Sequence, residues 1–160
     1  MCASLIVSER CDVDVALVVE NSVHSQTNRH AIHQFVQHVI TIIDSQLKLG
    51  ADARLAVIAY TSTSTPLTSL SSAHNLAKLL YITDSLLDND GGDSSGSGVN
   101  DALDGALVEI QPSIRGRLTS SMSARQAVIL LKLPDSDTHE ALARLQTLMN
   151  NLVDVIVVGK

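Results

Sequence analysis

Hydrophobic and polar positions along the chain fall into two alternating periods. From Asp12 to Glu20 (DVDVALVVE) the pattern alternates and then becomes continuously apolar, as a central strand buried on both faces does. The polar turn NSVHS follows directly. Ile32, Phe35, Val36, Val39, Ile40, Ile43 and Leu47 then recur at helical spacing and predict a helix ending near Leu47, with Ser25 or Thr27 as its cap and Gly50 as a stop signal. RLAVIAY, Arg54 to Tyr60, reads as a second buried strand. Thr61 to Ser69 has room for a short edge strand, since Pro66 disfavours a central one.

Ser72 is a candidate start for a short helix burying Leu76, Leu79 and Leu80. Asp88 to Gly98 is a Gly/Ser/Asp loop, the clearest break in the pattern. Helical spacing returns from about Val99 to Ile110, with Leu103, Ala106, Leu107 and Ile110 inward. After a polar stretch, Gln126 to Leu133 makes a third buried strand. Asp137 and Glu140 form a capping box for a helix carrying Leu142, Leu145, Leu148 and Leu152, and Val153 to Val158 makes the last strand. Buried strands alternating with amphipathic helices predict an α/β fold: a doubly wound, mostly parallel sheet with helices on both faces. Residues 1–11 read as an N-terminal extension and 12–160 as one domain, truncated after its last strand because no helix follows to cover it.

Composition narrows the function classes. Length, 160 residues, suits one core, and with only Phe35, Tyr60 and Tyr81 as aromatics that core is aliphatic. The same scarcity removes the stacking platforms used to bind single-stranded nucleic acid. A formal charge of −6 leaves no basic footprint for nucleic acid or anionic membranes. No apolar run approaches the roughly 20 residues of a membrane span, and MCASLIVSERC has no basic start of the kind a signal peptide shows. Cys2 and Cys11 are spaced so that a bridge, a bond to another chain, or two free thiols are all open.

In order and spacing, DVDVALVVENSVHS, LGADARLAVIAY, SSAHNLAKLL, GGDSSGSG, AVILLKL and VDVIVVG resemble the von Willebrand factor A domain family over Asp12 to Gly159. LGADARLAVIAYTS resembles its extracellular matrix branch, as in matrilins and the globular domains of collagen VI. The resemblance implies a metal-ion-dependent adhesion site: an Asp-x-Ser-x-Ser turn after the first strand, a Thr from the Gly-rich loop and an Asp after a later strand. Mg²⁺ needs about six hard oxygens in near-octahedral array, with one position open to a partner's carboxylate. On this sequence the motif positions hold Glu20, Ser22 and His24, with Ser95 (or Ser97, in a competing alignment) at the loop Thr. Leu133 stands at the final Asp; Asp135 lies two residues later. The ligand set is therefore degenerate. The expectation is no cofactor, with weakly bound Mg²⁺ or Mn²⁺ as the alternative.

What the resemblance implies is a non-catalytic adhesion or protein-interaction module with protein ligands, extracellular in location. The alternative is a cytoplasmic or nuclear scaffold of the same fold, like the ubiquitin-receptor subunit of the proteasome. An enzyme is not expected; the third and least favoured reading is a nucleotide-binding enzyme using the Gly96–Gly98 helix start. GDSSG, Gly92 to Gly96, matches the nucleophile loop of trypsin-like proteases, but that fold is all-β and the partner motifs are missing. Gly96 and Gly98 open a helix as half of a dinucleotide-binding turn would, yet Asp101 holds the third glycine position and no strand directly precedes them. His30 and His33 share a spacing suited to a transition metal, without the supporting ligands, and read with His38 as solvated helix-surface residues. Asp84, Asp88, Asp90 and Asp93 lack the closing Glu of a calcium loop and read as a solvated acidic loop.

Overall fold

The computed structural model describes residues 13–22, 27–50, 52–72, 75–88, 96–110, 125–131, 139–150 and 153–159. Among these residues five strands form one sheet: β1 (Val13–Glu20), β2 (Ala53–Tyr60), β3 (Ser64–Thr68), β4 (Arg125–Leu131) and β5 (Asp154–Val158). Their order is β3-β2-β1-β4-β5. β1 is parallel to β2 and β4, and β4 to β5. β3 is antiparallel to β2 and carries Pro66 at the sheet edge, as a residue without an amide donor requires.

Five helices accompany the sheet among the described residues: α1 (Arg29–Leu47), α2 (Leu76–Thr83), α3 (Ser85–Asp88), α4 (Gly96–Ile110) and α5 (His139–Asn150). The two-residue period of β1 and β2 divides the core. Ala16, Val18, Ala56, Ile58 and Tyr60 pack with α4 and α5. Val15, Leu17, Val19, Leu55, Val57 and Ala59 pack with α1, α2 and α3. Both faces are covered, and β1 is buried from Asp14 to Glu20. This is the doubly wound mostly parallel sheet expected from the alternation.

Asp14 is a charged residue inside the apolar strand, at the sheet end remote from the β1 turn. It is fully buried, and its register partner Arg54 on β2 binds it in bidentate fashion, Nε donating to Oδ1 at 2.8 Å and Nη2 to Oδ2 at 3.1 Å. A planar guanidinium suits such a fork.

Several local expectations are corrected. α1 begins at Arg29, and its N-cap Asn28 makes no side-chain capping bond, so the Thr27 cap is not formed; Ser25 lies outside the described residues. α2 is capped by Asn75, whose side chain accepts from the Lys78 amide at 2.8 Å, and not by Ser72. An amide oxygen three residues ahead of that N–H is the better-placed acceptor. α4 starts at Gly96, one turn before Val99, because glycine lets its first turn come close to the β2 end. Leu142 on α5 is exposed and Ala141 is buried in its place; Leu148 is buried as expected, Leu145 packs half-buried against the core, and Leu152 lies outside the described residues. Glu140 falls in α5 and Asp137, its expected capping partner, lies outside the described residues.

Candidate functional site

The chain leaves β1 for β2 through α1 on one side, and later enters β4 on the other side of β1. The C-terminal end of β1 is thus the point where the strand order reverses, the place where open α/β sheets bind ligands. Glu20 is the last residue of β1 and Ser22 lies just beyond.

Glu20 pairs in register with Tyr60, the last residue of β2, and both side chains point to the α4 face. This juxtaposition makes a buried polar knot. The Ser22 hydroxyl donates to Glu20 Oε1 at 2.8 Å, and the Tyr60 hydroxyl makes a long contact of 3.5 Å to Oε2. Glu20 and Tyr60 are each 1% exposed and Ser22 is fully buried. Burial, then the Glu20 charge, then the hydrogen bond to Glu20 hold the Tyr60 phenol protonated well above the ordinary tyrosine range. The Asn21 amide donates to the Tyr60 carbonyl at 2.8 Å, carrying the β1–β2 pairing into the turn.

α4 closes over this knot. A methyl group on Gly98 would overlap the Thr61 carbonyl oxygen and come within 2.8 Å of its carbon and 3.1 Å of the Ser62 carbonyl carbon. The glycine is required because the first turn of α4 rests on the backbone that leaves β2. Packing thereby accounts for Gly98 with no reference to a phosphate.

On the other face, α1 is tied to α2 and α3. His33 Nε2 lies 2.9 Å from Asp84 Oδ1, Gln37 donates to the same oxygen at 3.4 Å, and Arg29 Nη1 donates to the Leu87 carbonyl at 3.0 Å. His33 is buried, which corrects its reading as a solvated residue: Asp84 gives the ring a partner that solvent would otherwise supply. His30 and His38 are exposed as expected. Asp84 is half-exposed, and Asp88 is exposed, while Asp90 and Asp93 lie outside the described residues.

Of the four adhesion-site positions, Glu20 and Ser22 are brought together; His24 and Ser95 lie outside the described residues, as do Leu133 and Asp135. Glu20 and Ser22 are buried, so they sit beneath the rim and not on it. Of the roughly six hard oxygens Mg²⁺ takes, these two residues supply a carboxylate and one hydroxyl, with Ser22 donating to Glu20 Oε1 and Tyr60 in long contact with Oε2. Among the described residues no three His, Cys, Asp or Glu side chains converge on a point where a metal could sit. Tyr60 was the member of the knot that sequence reasoning passed over. Aligning the C-terminal ends of the two buried strands would have set it beside Glu20.

Near this end of the sheet, Asn21, Ala59, Thr65, Leu67, Ser85, Leu86 and Asp88 line an open cavity of about 240 Å³. A groove of about 290 Å³ runs between α4 and α5, at Leu103, Asp104, Leu107 and Arg144. Both are smaller than the roughly 300–1,000 Å³ of typical small-molecule sites.

Among solved structures, the chain superposes on proximal thread matrix protein 1 from the mussel byssus with a TM-score of 0.70, at 20% identity over 92% of this chain and 35% of that one. A second structure of that protein, with a zinc-occupied MIDAS motif, gives a TM-score of 0.71 at the same identity and coverage. Manganese-loaded TRAP protein of Plasmodium vivax gives 0.72 at 19% identity, over 94% of this chain and 57% of that one. The fold is that of a von Willebrand factor A domain. The chain spans about a third to just over half the length of these proteins. No family model matches the sequence, and no curated protein does. In the A-domain frame, the Glu20–Ser22 turn occupies the end of the central strand, and the Gly98 contact sets the neighbouring helix against it.

Proposed function

We propose that this chain is a non-catalytic protein-interaction module of the adhesion type, working outside the cell as part of a matrix or adhesion protein. It binds protein partners through the loops at the C-terminal ends of β1 and β2, without a bridging metal. The observation that carries this reading is the Glu20–Ser22–Tyr60 knot, in which protein hydroxyls meet the carboxylate that would otherwise face a cation. Support for the adhesion role comes from the A-domain fold, shared with a byssal matrix protein and with a pilus adhesin from Lactobacillus rhamnosus GG (TM-score 0.59, 18% identity, 78% of this chain and 15% of that one). No helix among the described residues is long and apolar enough to cross a membrane.

The test is solid-phase binding to a panel of purified collagens and matrix glycoproteins, in Mg²⁺ and in EDTA. The expected result is saturable binding to at least one of them, equal in both buffers and lost in Ser62→Arg and Thr63→Arg, two exposed positions on the loop after β2. Binding that disappears in EDTA would contradict metal independence. Binding that survives both arginines would place the interaction elsewhere.

A further inference from the structure

The open cavity near the C-terminal ends of β1 and β2 contains a polar group with nothing to bond. Asn21, just past β1, forms part of its lining and is only 4% exposed. Its backbone amide is spent on the Tyr60 carbonyl. Its side-chain amide makes no hydrogen bond among the described residues. Buried side-chain amides are as a rule paired, so one that lines a cavity unpaired is a docking point for a polar group entering it.

The walls are apolar and held by the core. Ala59 on β2 and Leu86 on α3 are buried, and Leu67 on β3 packs half-buried beside them. Thr65 stands in register with Ala59, which sets its side chain on the same face of the sheet. The Ser85 hydroxyl donates to the Ile82 carbonyl at 2.8 Å, so only its lone pairs remain for a ligand. Asp88 is exposed at this cavity, and no side chain among the described residues pairs with it. Arg29 donates Nη1 to the neighbouring Leu87 carbonyl and leaves Nε and Nη2 without partners, so it does not neutralise Asp88 by an ion pair.

We propose that this cavity takes an arginine side chain of a protein partner, the partner being a protein on the strength of the interaction-module reading. At about 240 Å³ the space is small for a typical ligand but has room for one side chain. Charge selects a cation: the free Asp88 carboxylate stands at the cavity of a chain carrying −6 overall, and an acidic side chain would be repelled. Hydrogen bonding then selects arginine over lysine. The acceptors are spread around the cavity, at Asn21 Oδ1, the Ser85 lone pairs and Asp88. A planar guanidinium with five donors reaches several of them at once, whereas an ammonium is a compact, strongly hydrated point charge. The arginine stem lies along Ala59, Leu67 and Leu86, which offer it an apolar wall.

Amide NMR titration of the isotope-labelled chain, in EDTA, tests the cavity without any partner. The probes are Nα-acetyl-arginine N-methylamide, its lysine counterpart and its neutral citrulline isostere. The arginine probe is expected to shift the Asn21 side-chain NH₂ and the Ser85 and Asp88 amides saturably, in the millimolar range, and less tightly as NaCl is raised. Lysine and citrulline are expected to bind about threefold or more weaker, and Asp88→Asn to weaken arginine binding by a similar factor. Asp104→Asn, which removes the same charge beside α5, is expected to change nothing. No shift up to the solubility limit overturns the proposal. So does lysine or citrulline binding as tightly as arginine, or Asp104→Asn weakening it as much as Asp88→Asn. The matrix-protein panel reads the module separately: panel binding with a silent titration overturns the arginine cavity alone. A positive titration with no panel binding supports the cavity and overturns the adhesion reading.

Discussion

Gly98 and Gly105 lie two turns apart on α4, and the same substitution is expected to have opposite effects at the two. At Gly105 an added methyl meets only Ile58 Cδ1 at 3.7 Å, an ordinary contact. Replacing a helix-interior glycine by alanine then gains about 0.5–1 kcal/mol, mostly by narrowing the unfolded ensemble. At Gly98 the methyl overlaps the Thr61 carbonyl oxygen and comes within 2.8 Å of its carbon. The obstacle is backbone, so no rotamer change relieves it and α4 must back away from the β2 end. Overpacking costs about 1–3 kcal/mol, and an overlap this deep with backbone falls at the upper end, about 3 kcal/mol. With at most about 1 kcal/mol of helix propensity to offset it, the net loss is about 2 kcal/mol. For a chain of this length each kcal/mol moves the melting midpoint by roughly 2–4 °C. Gly98→Ala should therefore melt about 4–8 °C lower and Gly105→Ala about 1–4 °C higher. Thermal and urea unfolding by circular dichroism read both. If Gly98→Ala were neutral or stabilising, α4 would not rest on the Thr61 carbonyl, and the placement of its first turn over Glu20 would be wrong.

Other expectations concern the buried polar groups. Arg54→Met should cost about 3 kcal/mol in urea unfolding, since it removes a bidentate partner from fully buried Asp14, whereas Arg144→Met, whose pair with Asp104 is 3.5 Å long and half-exposed on both sides, should stay within about 0.5 kcal/mol. The Tyr60 phenol is held neutral in the folded state far above the ordinary range. Below about pH 10 its contribution is therefore fully present, and above it the unfolded chain ionises first, costing up to about 1.4 kcal/mol per pH unit. In a Tyr81→Phe background, absorbance at alkaline pH should show Tyr60 ionising only as the fold is lost; reversible ionisation near pH 10 with the fold intact would sink the assignment. Asn75→Ala should destabilise by about 1 kcal/mol through loss of the α2 cap, and Asn75→Ser should recover most of it.

Much of the fold was legible because two-residue and 3.6-residue periods are local signals. The central strand, the long first helix and the Pro66 edge strand were all written in consecutive residues. Helix starts were less legible: Asn75 outcompetes Ser72, and Asn28 precedes α1 without a side-chain cap, because capping depends on backbone angles that composition does not encode. His33 and Leu142 were misplaced for a related reason. Each lies at the border of an amphipathic stripe, and its burial is decided by what stands opposite: Asp84 covers His33, while nothing among the described residues covers Leu142. In the candidate site, Glu20 and Ser22 were found by their place after the first strand. Tyr60 and Gly98 join them through cross-strand register and a helix landing 38 residues further along the chain, contacts that a reading of local motifs does not contain.

Thermal unfolding in EDTA against millimolar Mg²⁺, Mn²⁺ and Ca²⁺ tests the claim of a metal-independent interaction module most directly. The expected result is one midpoint in all four conditions, unchanged in Ser22→Ala relative to its own EDTA control. A cation at a hundred times its dissociation constant would add about 2.7 kcal/mol, or roughly 5–11 °C. A rise of that size, abolished by Ser22→Ala, would contradict the account and make the Glu20–Ser22 turn a working adhesion site.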